Sequence, residues 1–109
     1  MLKYDADTNK ISIIAKDTGD FVINISNYLL ADGDKVYFTV NKELEKEEPL
    51  ISIEVSTFVD NKAAIHLSAE HTDLPIGEYF YDVQVNAADG RVDTVLGPAK
   101  FKVLGGVKY

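Results

Sequence analysis

Apolar and polar residues alternate one by one along most of this chain. The clearest run has Tyr79, Tyr81, Val83 and Val85 alternating with Phe80, Asp82, Gln84 and Asn86. A period of two is that of a strand with one buried face. The stretch from Gly77 to Asn86 therefore reads as a long central strand. Asp89-Gly90 marks its reversal, because these residue types tolerate positive φ, and a return strand starts near Val92.

The same period places the other strands. Ile11 and Ile13 share a face in Lys10–Ala15, after the polar turn Asp5-Ala6-Asp7-Thr8-Asn9. Asp17-Thr18-Gly19-Asp20 is a turn, and Phe21, Ile23 and Ile25 then face one way. Tyr28-Leu29-Leu30 is too apolar for a free connection and is expected to fold over one end of the core. Lys35 to Lys42 turns Val36, Phe38 and Val40 inward and Tyr37, Thr39 and Asn41 outward. Ile51, Ile53 and Val55 form one face of the next strand. Asp60-Asn61 marks a hairpin, after which Ile65 and Leu67 point inward and His66 outward. Ser68 to Asp73 reads as a single helical turn capped by Ser68. Beyond Gly97-Pro98, the last strand runs from Ala99 to Leu104 with Phe101 and Val103 on one face, and 105–109 is a tail or linker. Seven to nine short strands between Gly, Asp and Asn turns predict an all-β, two-sheet antiparallel β-sandwich of Ig-like type. The expected core is Ile13, Phe21, Ile23, Val36, Phe38, Val40, Ile53, Val55, Ile65, Leu67, Tyr79, Tyr81, Val83, Val85, Phe101 and Val103. Tyr79 follows the corner Leu74-Pro75-Ile76-Gly77 and resembles the tyrosine corner of sandwich domains, whose hydroxyl bonds back across the turn.

Length and composition narrow the function more than they define it. At 109 residues the chain is expected to be one domain, 1–109, large enough to bury a core without disulfides or metal. Cysteine is absent, which removes thiolate sites and cysteine nucleophiles. No apolar run is long enough to cross a membrane as a helix, and Met1-Leu2-Lys3-Tyr4-Asp5 lacks the apolar core of a signal peptide. The net charge of −7 opposes nucleic acid and anionic membranes as partners, since eleven basic residues lie scattered among eighteen acidic ones.

The candidate chemistry is thin. Asp5-Ala6-Asp7-Thr8-Asn9 opens like a calcium loop, but Lys10 stands where a glycine is needed and Lys16 where a bidentate Glu is needed. Asp32-Gly33-Asp34 offers carboxylates with no converging ligand in the sequence. His66 and His71 are too few for a zinc site. Ser68, His71 and Asp73 lie too close along one turn to build a triad around a cleft. The sequon Asn24-Ile25-Ser26 falls within a strand. The sequence predicts no catalytic residue, cofactor or metal. What remains is a candidate docking surface made of the outward aromatics Tyr37 and Phe80 and the acidic run with Glu43, Glu45 and Glu47. The plainer readings are cross-strand pairing for the aromatics and a solvated connection for the acidic run.

The order of segments also resembles a known family. Lys35-Val36-Tyr37-Phe38-Thr39-Val40 precedes a charged loop, and Ile65-His66-Leu67-Ser68 leads into a turn. Leu74-Pro75-Ile76-Gly77-Glu78-Tyr79-Phe80-Tyr81-Asp82-Val83 follows, then Asp89-Gly90-Arg91, and finally Gly97-Pro98-Ala99-Lys100-Phe101-Lys102-Val103. From about Asp17 to Leu104 this is similar to the Ig-like N-terminal domain of phage baseplate upper proteins and related tail proteins. The resemblance implies a non-enzymatic virion protein, an assembly or adaptor module of a tail or baseplate. It would be made in the cytoplasm of a bacterial host, with other tail proteins as partners and homo-oligomers within reach. Family members often continue into a further region, so the chain is expected to be a piece of a longer protein or a small accessory protein. The alternative is a carbohydrate-binding or adhesive module of a phage or bacterial surface protein.

Overall fold

A computed structural model describes residues 2–25, 29–43 and 48–106. Among these residues eight strands run in chain order: β1 (Lys3–Asp5), β2 (Lys10–Ile14), β3 (Gly19–Asn24), β4 (Lys35–Asn41), β5 (Ile51–Val55), β6 (Lys62–Leu67), β7 (Gly77–Asn86) and β8 (Val92–Leu104). They form two sheets. One has the order β1-β2-β8-β7-β4-β5, and the other is the pair β3-β6. No helix occurs among the described residues, and the architecture is that of a β-sandwich.

The alternation in β4 and β7 becomes alternation of burial. Val36, Phe38 and Val40 are fully buried, as are Tyr79, Tyr81, Val83 and Val85 on the facing strand. β4 and β7 pair antiparallel from Lys35↔Asn86 to Asn41↔Phe80, so these side chains share one face. From the other sheet, Ile23, Ala63, Ile65 and Leu67 meet them, with Ile25 just beyond β3. Phe38 is the hub: its ring lies 5.3 Å from Phe21 across the sandwich, 5.4 Å from Tyr81 and 6.2 Å from Phe101. Phe21, Ile53 and Val55 are only half-buried where a full core position was expected, and β5, which carries two of them, is an edge strand. Ile11, Ala15, Ile25, Ile51 and Ala63 complete the core.

Four further departures from the sequence reading have physical causes. First, one ladder of the larger sheet is parallel rather than antiparallel: β2 runs beside β8 from Ile11↔Phe101 to Ile14↔Leu104. Second, Lys3–Asp5 folds back on β2 as a short strand, with Asn9 at φ 60 closing the turn. Third, the return strand and the last strand are one element, because β8 continues through Gly97-Pro98 with register shifts against Tyr81 and Val83 rather than a break. A Cβ on Gly97 (φ 95) would stand 2.7 Å from the Tyr81 carbonyl oxygen, so only glycine lets the two strands stay paired there. Fourth, Leu29 is 84% exposed and does not cover the core, whereas Leu30 packs against it. Tyr28 of that connection lies outside the described residues.

Two corners lock the layers together. Asp60 and Asn61 both adopt positive φ in a tight turn, but β5 and β6 on either side of it belong to different sheets. The Asn61 amide donates to the Ile25 carbonyl and its oxygen accepts from Leu30 N–H at 2.7 Å, tying the end of β3 to the following connection. At the other end Thr72 is fully buried, and its hydroxyl donates to the Asp17 carbonyl at 2.7 Å. Tyr79 Oη donates to the Pro75 carbonyl, the corner bond expected from the sequence.

Candidate docking surface

The outward residues of β4, β5, β7 and β8 form the exposed face of the larger sheet, and this face carries the sequence-predicted candidates. Tyr37 lies opposite Gln84 and Phe80 opposite Asn41, four positions apart along the same pair of strands. At the rise of a strand that separation is roughly 13 Å, too far for the rings to form one platform. Tyr37 is engaged by its neighbours. Its hydroxyl donates to Glu54 Oε1 at 2.7 Å, and Lys35 Nζ reaches the same oxygen at 3.2 Å. The hydroxyl, followed by the ammonium, holds the Glu54 carboxyl below the usual carboxylate range. The same hydrogen bond raises the phenol of Tyr37.

Phe80 is half-buried and lines a hollow of about 60 Å³ with Glu43, Thr39, Asn41, Asp82 and Pro98. Thr39 Oγ1 donates to Asp82 Oδ1 at 2.6 Å at its side. The structure thus brings Phe80 and Glu43 together and leaves Tyr37 apart. Glu45 and Glu47 lie outside the described residues. Beside this hollow, Lys42 Nζ sits 4.7 Å over the Tyr79 ring and donates to the Glu78 carbonyl at 3.0 Å, while Lys100 pairs with Glu78 at 3.4 Å.

The remaining titratable and hydroxyl candidates serve the fold. Ser68 Oγ accepts from His71 N–H and His71 Nδ1 accepts from Ser68 N–H, both at 3.1 Å. This reciprocal cap is joined by bonds from Thr72 N–H to the Ser68 carbonyl at 3.2 Å and from Asp73 N–H to the Glu70 carbonyl at 3.3 Å, so the helical turn expected there is one capped, hydrogen-bonded turn and not a helix. His66 faces outward and meets Asp20 across the β3-β6 ladder at 2.6 Å, with both side chains exposed. Asp34 is buried, and its two carboxylate oxygens accept from Ala31 N–H and Ala88 N–H, each at 2.9 Å. Its oxygens therefore cap the loop they share with Asp32 and Gly33. Among the described residues, no three His, Cys, Asp or Glu converge as a metal site.

One feature had no signal in the sequence. An apolar cleft of about 420 Å³ opens between the sheets, walled by Phe21 to Asn24 of β3 and the following Ile25 on one side and by Val95 and Leu96 of β8 on the other. It exists because β2 covers only the end of β8 from Phe101 to Leu104 and because, among the described residues, β3 pairs with β6 alone. Both are facts of long-range pairing, so local periodicity could not have revealed them. No protein-family model matches the chain, and no curated protein matches it either.

Proposed function

We propose that this chain is an Ig-like sandwich serving as a non-enzymatic structural module of a phage or prophage virion. In this reading it contributes protein–protein contacts to a tail or baseplate and is made in the cytoplasm of the bacterial host. The observation that carries the reading is the corner-strand-turn run of the resemblance together with its geometry. Tyr79 bonds to Pro75 at the corner, β7 follows, and Asp89 Oδ1 accepts from Arg91 N–H at 3.0 Å to shape the Asp89-Gly90-Arg91 turn. The Ig-like assignment is supported by strand order. Taking β3 to β8 as B, C, C′, E, F and G reproduces a GFCC′ sheet against a BE pair, with the tyrosine corner leading into F.

The test is genetic and structural. Virions purified from the producing host should contain the chain at a fixed copy number relative to the tail proteins. Deleting its gene should give particles with defective tails or baseplates by electron microscopy. Intact, infectious particles from the deletion strain would overturn the reading. Light scattering on the isolated chain reports whether it self-assembles as a ring component would.

A further inference from the structure

The cleft between the sheets is bounded by strand edges. Consecutive residues of a strand point to opposite faces. A wall that takes in four consecutive residues of β3, Phe21 to Asn24, is therefore its edge rather than its face. β3 pairs only with β6 among the described residues, so its other edge presents backbone donors and acceptors to the cleft. Across the opening, β8 pairs with β2 only from Phe101 to Leu104, so among the described residues no strand lies beside its edge at Val95 and Leu96. Buried Ile11 and Tyr81 close the space between them.

Exposed edges in folded proteins are usually blunted by lysine, proline, a bulge or a covering segment. β3 contains no lysine or proline, its register with β6 is unbroken, and Val22 stands 60% exposed on it. We infer that the edge of β3 accepts one extended strand from a partner protein. That strand carries apolar side chains at alternate positions, which enter the cleft, and basic residues at its ends. β3 spans on the order of 20 Å, enough for a partner strand of about six residues with three side chains directed inward. Backbone hydrogen bonds supply the affinity and the cleft reads the alternate side chains. The partner's charge follows from the molecule as a whole. The cleft walls are uncharged, Asp20 and Asp93 are exposed on the two bounding strands, and the chain carries −7. A basic strand is drawn toward that field, whereas a second copy brings another −7 and is repelled. The inference rests on the assembly reading in taking the ligand to be a protein segment.

The probe is a synthetic peptide, KVTVTIK, capped at both ends and titrated to millimolar concentration into isotope-labelled protein. Amide exchange and chemical shifts are read by NMR. Saturable protection of those β3 amides that do not bond to β6 is expected. Binding should be at least about tenfold weaker for a scrambled peptide of the same composition and for EVTVTIE at low salt. Leu96→Trp fills the cleft and should weaken KVTVTIK by about tenfold or more. Val22→Lys keeps the core untouched, places a like charge on the edge and should do the same. Unchanged β3 exchange at saturating peptide, or equal binding of the scrambled peptide, overturns the proposal. Protection of β3 that grows with protein concentration alone also overturns it and gives the edge to a second copy. Peptide binding alongside intact deletion-strain virions would leave the acceptor edge standing and remove only the virion assignment.

Discussion

The hydroxyl of Tyr79 shows how much a single atom can fix. It reaches back four residues to the Pro75 carbonyl, and burial raises its pKa. Tyr79→Phe keeps the ring and loses only this bond, so urea unfolding should show a loss of about 1 kcal/mol. Tyr81 is a stronger case. Its ring is buried beside Phe38 and Phe101, its hydroxyl donates to the Asn9 carbonyl, and burial pushes its pKa to about 12 from the ordinary 10.0. A folded pKa above the unfolded one means that the neutral phenol stabilises the fold. That contribution is intact below pH 10 and disappears as the pH climbs towards 12. Melting temperatures between pH 9 and pH 12 should therefore fall, on the order of several degrees across that window, and fall less steeply in Tyr81→Phe. Asp34 gives the opposite kind of expectation. Both its oxygens are occupied by backbone N–H groups, so millimolar calcium should leave the melting temperature unchanged.

At the level of the element, two glycines in one hairpin separate conformational freedom from space. Gly90 has φ 97 with nothing within 4 Å of an added Cβ, whereas Gly97 has φ 95 with the Tyr81 carbonyl oxygen 2.7 Å away. Gly90→Ala should cost about 1 kcal/mol for the backbone conformation alone, and Gly97→Ala about 2–4 kcal/mol, measured by chemical denaturation. The strands themselves were legible in the sequence because a half-buried strand writes its burial as alternation. β4 and β7 match that pattern position by position. Gly97-Pro98 looked like a strand break because both residues punctuate loops locally. In the fold they form the irregular middle of β8, where the partner strand supplies the continuity. The short β1 and the parallel β2–β8 ladder left no trace for a similar reason: each depends on which distant strand is beside it. The docking candidates were only partly legible. Outward position was readable for Tyr37 and Phe80, but not that Glu54 and Lys35 engage the first, nor that the second sits in a hollow with Glu43.

For the whole molecule, the two sheets are joined through a shared apolar core that includes one aromatic cluster. Phe38 is fully buried and is the member that touches rings from both sheets. Phe38→Ala should cost about 3–5 kcal/mol, enough to lower the melting temperature sharply or unfold the domain at ambient temperature by circular dichroism.

The parallel β2–β8 ladder also has a mechanical consequence. Its two strands come from opposite ends of the described chain and run in the same direction. Tension applied along the chain pulls them past one another, so the hydrogen bonds between Ile11–Ile14 and Phe101–Leu104 bear load together instead of opening one at a time. The antiparallel β1–β2 contact is instead peeled from its end and yields first. Resistance to traction is thereby concentrated in four residue pairs at the end of β8, where the rate of rupture rather than the depth of the free-energy well sets endurance under load.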